Sequence, residues 1–177
     1  MKRIYLSVTL LFTMSMSCLA FAGPPAPKSE AQIDRSAMRQ MVHQSIKKFK
    51  IAEDVSLEDA IDSMKLRANM LNFKMVADLP LSEQVKAMGE KANYMRILAF
   101  CDALIAKKMV EFDPIFAGFL PCRIAVIQDN QGQGWIVTMN MDMMLNAVDL
   151  PPKLQPLAKQ VRDTIYSIVD AGVNGDL

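Results

Sequence analysis

With one histidine, His43, in 177 residues, the chain has no multi-histidine metal site, and a lone imidazole cannot serve both as a base and as part of one. The sequence lacks G-x-S-x-G, the phosphate-cradling P-loop and the dinucleotide fingerprint, so those nucleophile, nucleotide and nicotinamide chemistries have no carrier. Its three cysteines form no C-x-x-C. This removes the usual redox-active pair and the C-x-x-C-H attachment of covalent haem. Charge is balanced, with 20 Lys and Arg against 19 Asp and Glu, whereas nucleic acid calls for a strongly basic face.

The chain opens "MKRIYLSVTLLFTMSMSCLAFAG": Lys2 and Arg3, then an uncharged run from Ile4 to about Leu19, then small residues at Ala20 and Ala22. This is the three-part plan of a secretory signal peptide over 1–22, cleaved before Gly23. The run is short for a spanning helix, so no transmembrane segment is expected after processing, and the expected destination is the periplasm. The alternative is a lipoprotein anchored at Cys18, which the Ser15 before it disfavours. Cleavage leaves 18 of the 20 basic residues and a chain of 155 residues (177 less 22). With 51% hydrophobic residues overall, one core can form without a disulfide framework.

"GPPAPKS" makes 23–29 a Pro-rich extended leader. Over 30–50, Ile33, Ala37, Met38, Met41, Val42, Ile46 and Phe49 recur as the stripe of an N-terminal amphipathic helix, with Arg35, Arg39, His43 and Lys47 opposite. A single α+β domain is expected over 51–177. "SLEDAIDSMKLRANMLN" is a helix capped by Ser56. "FKMVADL" and "YMRILAF" read as strands, with a small helix between them over Ser82–Met88 that Gly89 closes. Asp102 caps "ALIAKKMVEF", and "CRIAVIQDNQGQGWIVTMN" is a β-hairpin. The last helix is expected to use Pro152 in its first turn and to stop at Gly172. Together these give α+β, a small, mostly antiparallel sheet with helices on one face.

Three segments, "SLEDAIDSMKLRANMLNFKMVADLPL", "ILAFCDALIAKKMVEFDPIFAGFLPC" and "RIAVIQDNQGQGWIVTMNMD", carry a resemblance. From about Ser56 to Val148 the chain resembles the domain of unknown function 302 family, most specifically in a strand ending at Cys101, a helix, and then Leu120-Pro121-Cys122. Asp102-Ala103 stands where many members have Asn-Pro. The resemblance implies a TBP-like α+β fold, a homodimer and no settled activity or agreed catalytic residues. The helix at 30–50 and the signal peptide lie outside the matched stretch, as in an exported member with an added arm.

After processing only Cys101 and Cys122 remain. In an oxidising compartment they are a structural disulfide, a pair of buried thiols packing as small apolar residues, or a functional thiol pair that binds metal, haem or a persulfide. "TMNMDMM" at 138–144 concentrates methionine in a chain that has 15. If the strand continued through it, Met139, Met141 and Met143 would share a face and offer thioethers to Cu(I). The plainer reading is adaptable core filler, because Met38, Met41, Met64, Met88 and Met109 also fall at helical core spacing. His43 sits on a polar helix face and reads as solvated, with axial haem ligation as the sharper alternative. Trp135 anchors the hairpin or walls a ligand. The expectation is an exported, non-enzymatic binding module without a cofactor, whose Met-rich surface or pocket takes a small apolar ligand or a protein partner. The alternative is a copper or haem carrier, and a thiol-dependent sulfur or redox enzyme comes third.

Overall fold

Asp34 caps the first helix, α1 (Arg35–Gln44), by accepting a hydrogen bond from the Ser36 backbone N–H at 2.9 Å. The computed structural model describes residues 34–176, so the expected signal peptide, leader and Cys18 anchor lie outside the described residues. The amphipathic helix expected over 30–50 ends at Gln44. Ile46–Lys50 is instead strand β1, paired antiparallel with β5 (Gly134–Met139) from Ile46↔Met139 to Lys50↔Trp135. Five residues with Ile46 and Phe49 among them satisfy a helical stripe and a strand alternation equally well. The ladder to β5 decides between them, because it satisfies the backbone and turns Phe49 onto the core. On α1 the stripe Met38, Met41 and Val42 is exposed.

The chain continues through α2 (Leu57–Met70), β2 (Lys74–Leu79), α3 (Leu81–Ala87), β3 (Met95–Cys101), α4 (Ala103–Phe112), a 3-10 turn (Pro114–Phe119), β4 (Cys122–Gln128), β5, α5 (Met141–Asn146) and α6 (Gln155–Asn174). The strands form one open sheet in the order β1-β5-β4-β3-β2, with every neighbour antiparallel. The α+β expectation holds. No helix of the described residues is long and apolar enough to cross a membrane.

The core lies between one face of the sheet and the pair α2 and α6. Ser56 starts α2 with a reciprocal cap: its Oγ accepts from the Asp59 N–H at 3.1 Å and donates to the Asp59 carboxylate at 2.7 Å. The helix then buries Ala60, Ile61, Met64 and Ala68 against Leu98, Phe100, Ile124, Val126 and Ile136 of the sheet. From α6 come Ile165, Ile168 and Val169. That helix begins at Gln155, with Pro156 rather than Pro152 in its first turn, because the Pro151–Leu154 stretch is a turn of its own. It also passes through Gly172. A Cβ there would stand 2.6 Å from Met64 Cγ and 2.8 Å from Ile136 Cδ1, so this glycine serves close packing. The stop is Gly175, left-handed at φ 70°.

On the opposite face of the sheet, Ile97, Ala125 and Val137 stand in one cross-strand row, half-buried. Ile46 and Phe119 flank it, 45% and 39% exposed.

Candidate functional site

At one end of the sheet a second apolar cluster, Ile105, Met109, Phe116, Leu150 and Ala158, joins α4, the 3-10 turn and the first half of α6. Between this cluster and the sheet lies a cavity of about 80 Å³. Three strand ends deliver sulfur to it: Cys101 closes β3, Cys122 opens β4 and Met139 closes β5. The antiparallel register pairs Phe100 with Cys122, so Cys101 lies one residue beyond that pair, and both cysteines line the cavity where the sheet ends. Met109 on α4 and Met141 and Met144 on α5 complete a lining with six sulfur-bearing side chains.

Both cysteines are free thiols, Cys122 buried and Cys101 half-buried. Burial pushes the Cys122 thiol up to about 11, with Cys101 beside it adding to the effect. Burial also raises Cys101, and the Asp102 carboxylate adds to that shift. Both thiols are therefore held protonated near neutral pH, the reverse of the depressed pKa that activates a nucleophilic cysteine. Asp102 brings a carboxylate to the lining, but its Oδ1 accepts from the backbone N–H groups of Leu104 and Ile105 at 2.9 and 3.0 Å as the cap of α4. Apart from that carboxylate, the cavity presents hydrocarbon and sulfur.

Of the expected site residues, the fold brings Cys101, Cys122, Met139 and Met141 together and leaves out three. The strand that would have aligned Met139, Met141 and Met143 ends at Met139. Asn140 caps α5 there, its side-chain oxygen accepting from the Met143 N–H at 3.2 Å. Helical spacing then makes Met144, three residues on, the neighbour of Met141, and Met143 does not line the cavity. His43 is exposed on α1 among Arg35, Ser36, Arg39 and Gln40. Trp135 lies outside the lining as well. Its indole N–H donates to Asp129 at 2.7 Å across the hairpin turn, and the Lys48 ammonium stacks 3.6 Å from its ring centroid. Ligand pockets usually span about 300–1,000 Å³, so the cavity does not seat a haem.

Sequence reasoning passed over Met144, the part played by Met109, and a polar cluster behind the α5 wall. Asp142 accepts from Lys47 Nζ at 2.5 Å and from the Tyr166 hydroxyl at 3.2 Å, with the Arg162 guanidinium 3.5 Å away. It ties α5 to β1 and α6.

The open antiparallel sheet with helices on one face is an α+β fold similar to that in a crystal structure from Bacillus stearothermophilus, of an uncharacterized conserved protein DUF302. That structure is similar at a TM-score of 0.59 and 18% identity, over 72% of this chain and 97% of the other. The family model for the domain of unknown function DUF302 matches residues 48–172, and the chain belongs to that family. No curated protein matches.

Proposed function

We propose that this is an exported, non-enzymatic binding module whose cavity at the sheet end is its ligand site. The carrying observation is the lining: apolar and sulfur-bearing side chains from seven elements surround one space, and the single carboxylate among the described lining residues uses Oδ1 to cap a helix. Apolar cavities of this kind stay dry and admit apolar guests; one of about 150 Å³ admits benzene or xenon. A space of about 80 Å³ suits an occupant of a few atoms. The test is methionine-methyl NMR of the protein under xenon pressure. Met109, Met141 and Met144 are expected to shift in a saturable way while exposed Met88 stays still, and unchanged spectra at the highest pressure overturn the reading.

Homodimerisation through the open sheet face is part of the proposal, supported by the apolar row Ile97, Ala125 and Val137. Sedimentation equilibrium is expected to give a dimer that Val137→Glu converts to a folded monomer, and a monomeric parent protein defeats it. Export is supported by the first 22 residues, and N-terminal sequencing of the protein recovered from periplasm is expected to begin at Gly23.

A further inference from the structure

We propose that the cavity is a thiol and thioether site for a single soft monovalent cation, Cu(I), held by Cys101, Cys122, Met139 and Met141. The proposal rests on the reading of the cavity as the ligand site and names what enters it. Size is the first argument, because about 80 Å³ bounded in part by the sulfur-bearing side chains themselves leaves room for a small ion and not for a larger organic guest. The donors are the second. Thiolate and thioether select Cu(I) over the harder divalent ions, which favour oxygen and nitrogen, and Oδ1 of Asp102 is engaged by two backbone N–H groups, which leaves one carboxylate oxygen against six sulfur-bearing side chains.

Charge is the third argument. An apolar cavity disfavours a net charge, and a monovalent ion with one thiolate and neutral thioethers is neutral. On binding, one thiol proton leaves to solvent, one copper–thiolate bond forms, and copper stays in the +1 state. The other thiol and the two thioethers bind as neutral donors.

The bend that brings Met139 and Met141 to one space is built in advance. Asn140 lies between them, and its backbone N–H donates to Ser45 O at 2.8 Å. Its side-chain amide donates to Gln44 O at 2.8 Å, and its oxygen accepts from the Met143 N–H. Three hydrogen bonds thus fix the turn from strand to helix without using the sulfur atoms.

The test titrates the protein, purified from expression of the full chain under anaerobic reducing conditions, with Cu(I) against bicinchoninate. One equivalent is expected to leave the chelator, with one proton released. Cys101→Ala and Cys122→Ala are each expected to weaken retention by more than about 100-fold, beyond the loss of an outer-shell group. Met139→Leu and Met141→Leu weaken it less, and Met143→Leu leaves it unchanged. Circular dichroism melts accompany each variant, and the half-buried Cys101→Ala carries the test if Cys122→Ala unfolds. Copper left with the chelator, equal weakening by Met143→Leu, or a Cys101–Cys122 disulfide in freshly purified periplasmic protein overturns the proposal. If xenon still enters the cavity in that event, only the cation falls; if neither enters, the ligand-site reading falls with it.

Discussion

Lys47 on β1 and Asp142 on α5 meet at 2.5 Å between Nζ and Oδ2, the same ammonium lying 4.4 Å from the centre of the Tyr166 ring. The contact holds the helix that walls the cavity against the edge of the sheet. Asp142→Asn keeps the shape and removes the charge. The Asp142 side chain is 41% exposed, so solvent screening limits the expected loss to about 1 kcal/mol. Urea unfolding at low and high salt checks this: the loss should shrink with salt, and a salt-independent loss would deny the ion pair its part.

Acid should weaken the fold through two carboxylates. The Lys47 ammonium holds Asp142 below its ordinary 3.8, and Arg96, bonded to both oxygens of Asp78 at 2.7 Å, does the same there. A depressed native pKa contributes stability that is complete above the unfolded value and lost as pH falls through the native one. Melting temperature should therefore hold steady down to about pH 4 and decline below it. Asp78→Asn should flatten that decline, and an unchanged acid limb in that variant would refute the assignment.

The thiols carry the opposite sign. Cys122 rises to about 11 in the fold from 9.0, so its contribution is complete below 9 and lost as pH climbs towards 11. Iodoacetamide should modify the half-buried Cys101 first. Cys122 should react only slowly at pH 8 and faster as pH rises, with mass spectrometry assigning the order. Rapid equal labelling of both at pH 7 would contradict the burial argument.

Gly172→Ala puts a methyl into the seam of α6, α2 and β5, 2.6 Å from Met64 Cγ and 3.1 Å from the Ala60 carbonyl oxygen. Overpacking of this kind costs about 1–3 kcal/mol, despite the higher helix propensity of alanine. Equilibrium unfolding should show that loss, and a gain in stability would mean that the helices have room to part.

Elements with their own local signals were legible before the structure. Ser56 and Asp102 mark their helix starts by side-chain chemistry, and the Gly- and Asn-bearing turn marks the hairpin. Where two templates fit, only long-range partners decided. Ile46–Lys50 reads as helix until β5 lies beside it, and Gly172 reads as a stop until Met64 and Ile136 explain its missing side chain. The site divides in the same way. Cys101, Cys122 and Met139 sit at strand ends, which a strand and hairpin reading can locate. Met144 and Met109 reach the cavity through helix rotation and tertiary packing, and Met143 drops out because a single asparagine changes the period from two to 3.6.

The borders of the sheet have their own consequence. β1 reads Ile-Lys-Lys-Phe-Lys along one rim, and β2 breaks its register between Met75 and Ala77 on the other. Clustered lysines and a bulge both discourage a foreign strand from adding to an exposed rim. Both rims of the sheet thus carry features that discourage strand addition, which guards the exposed edges against zipping one sheet onto another.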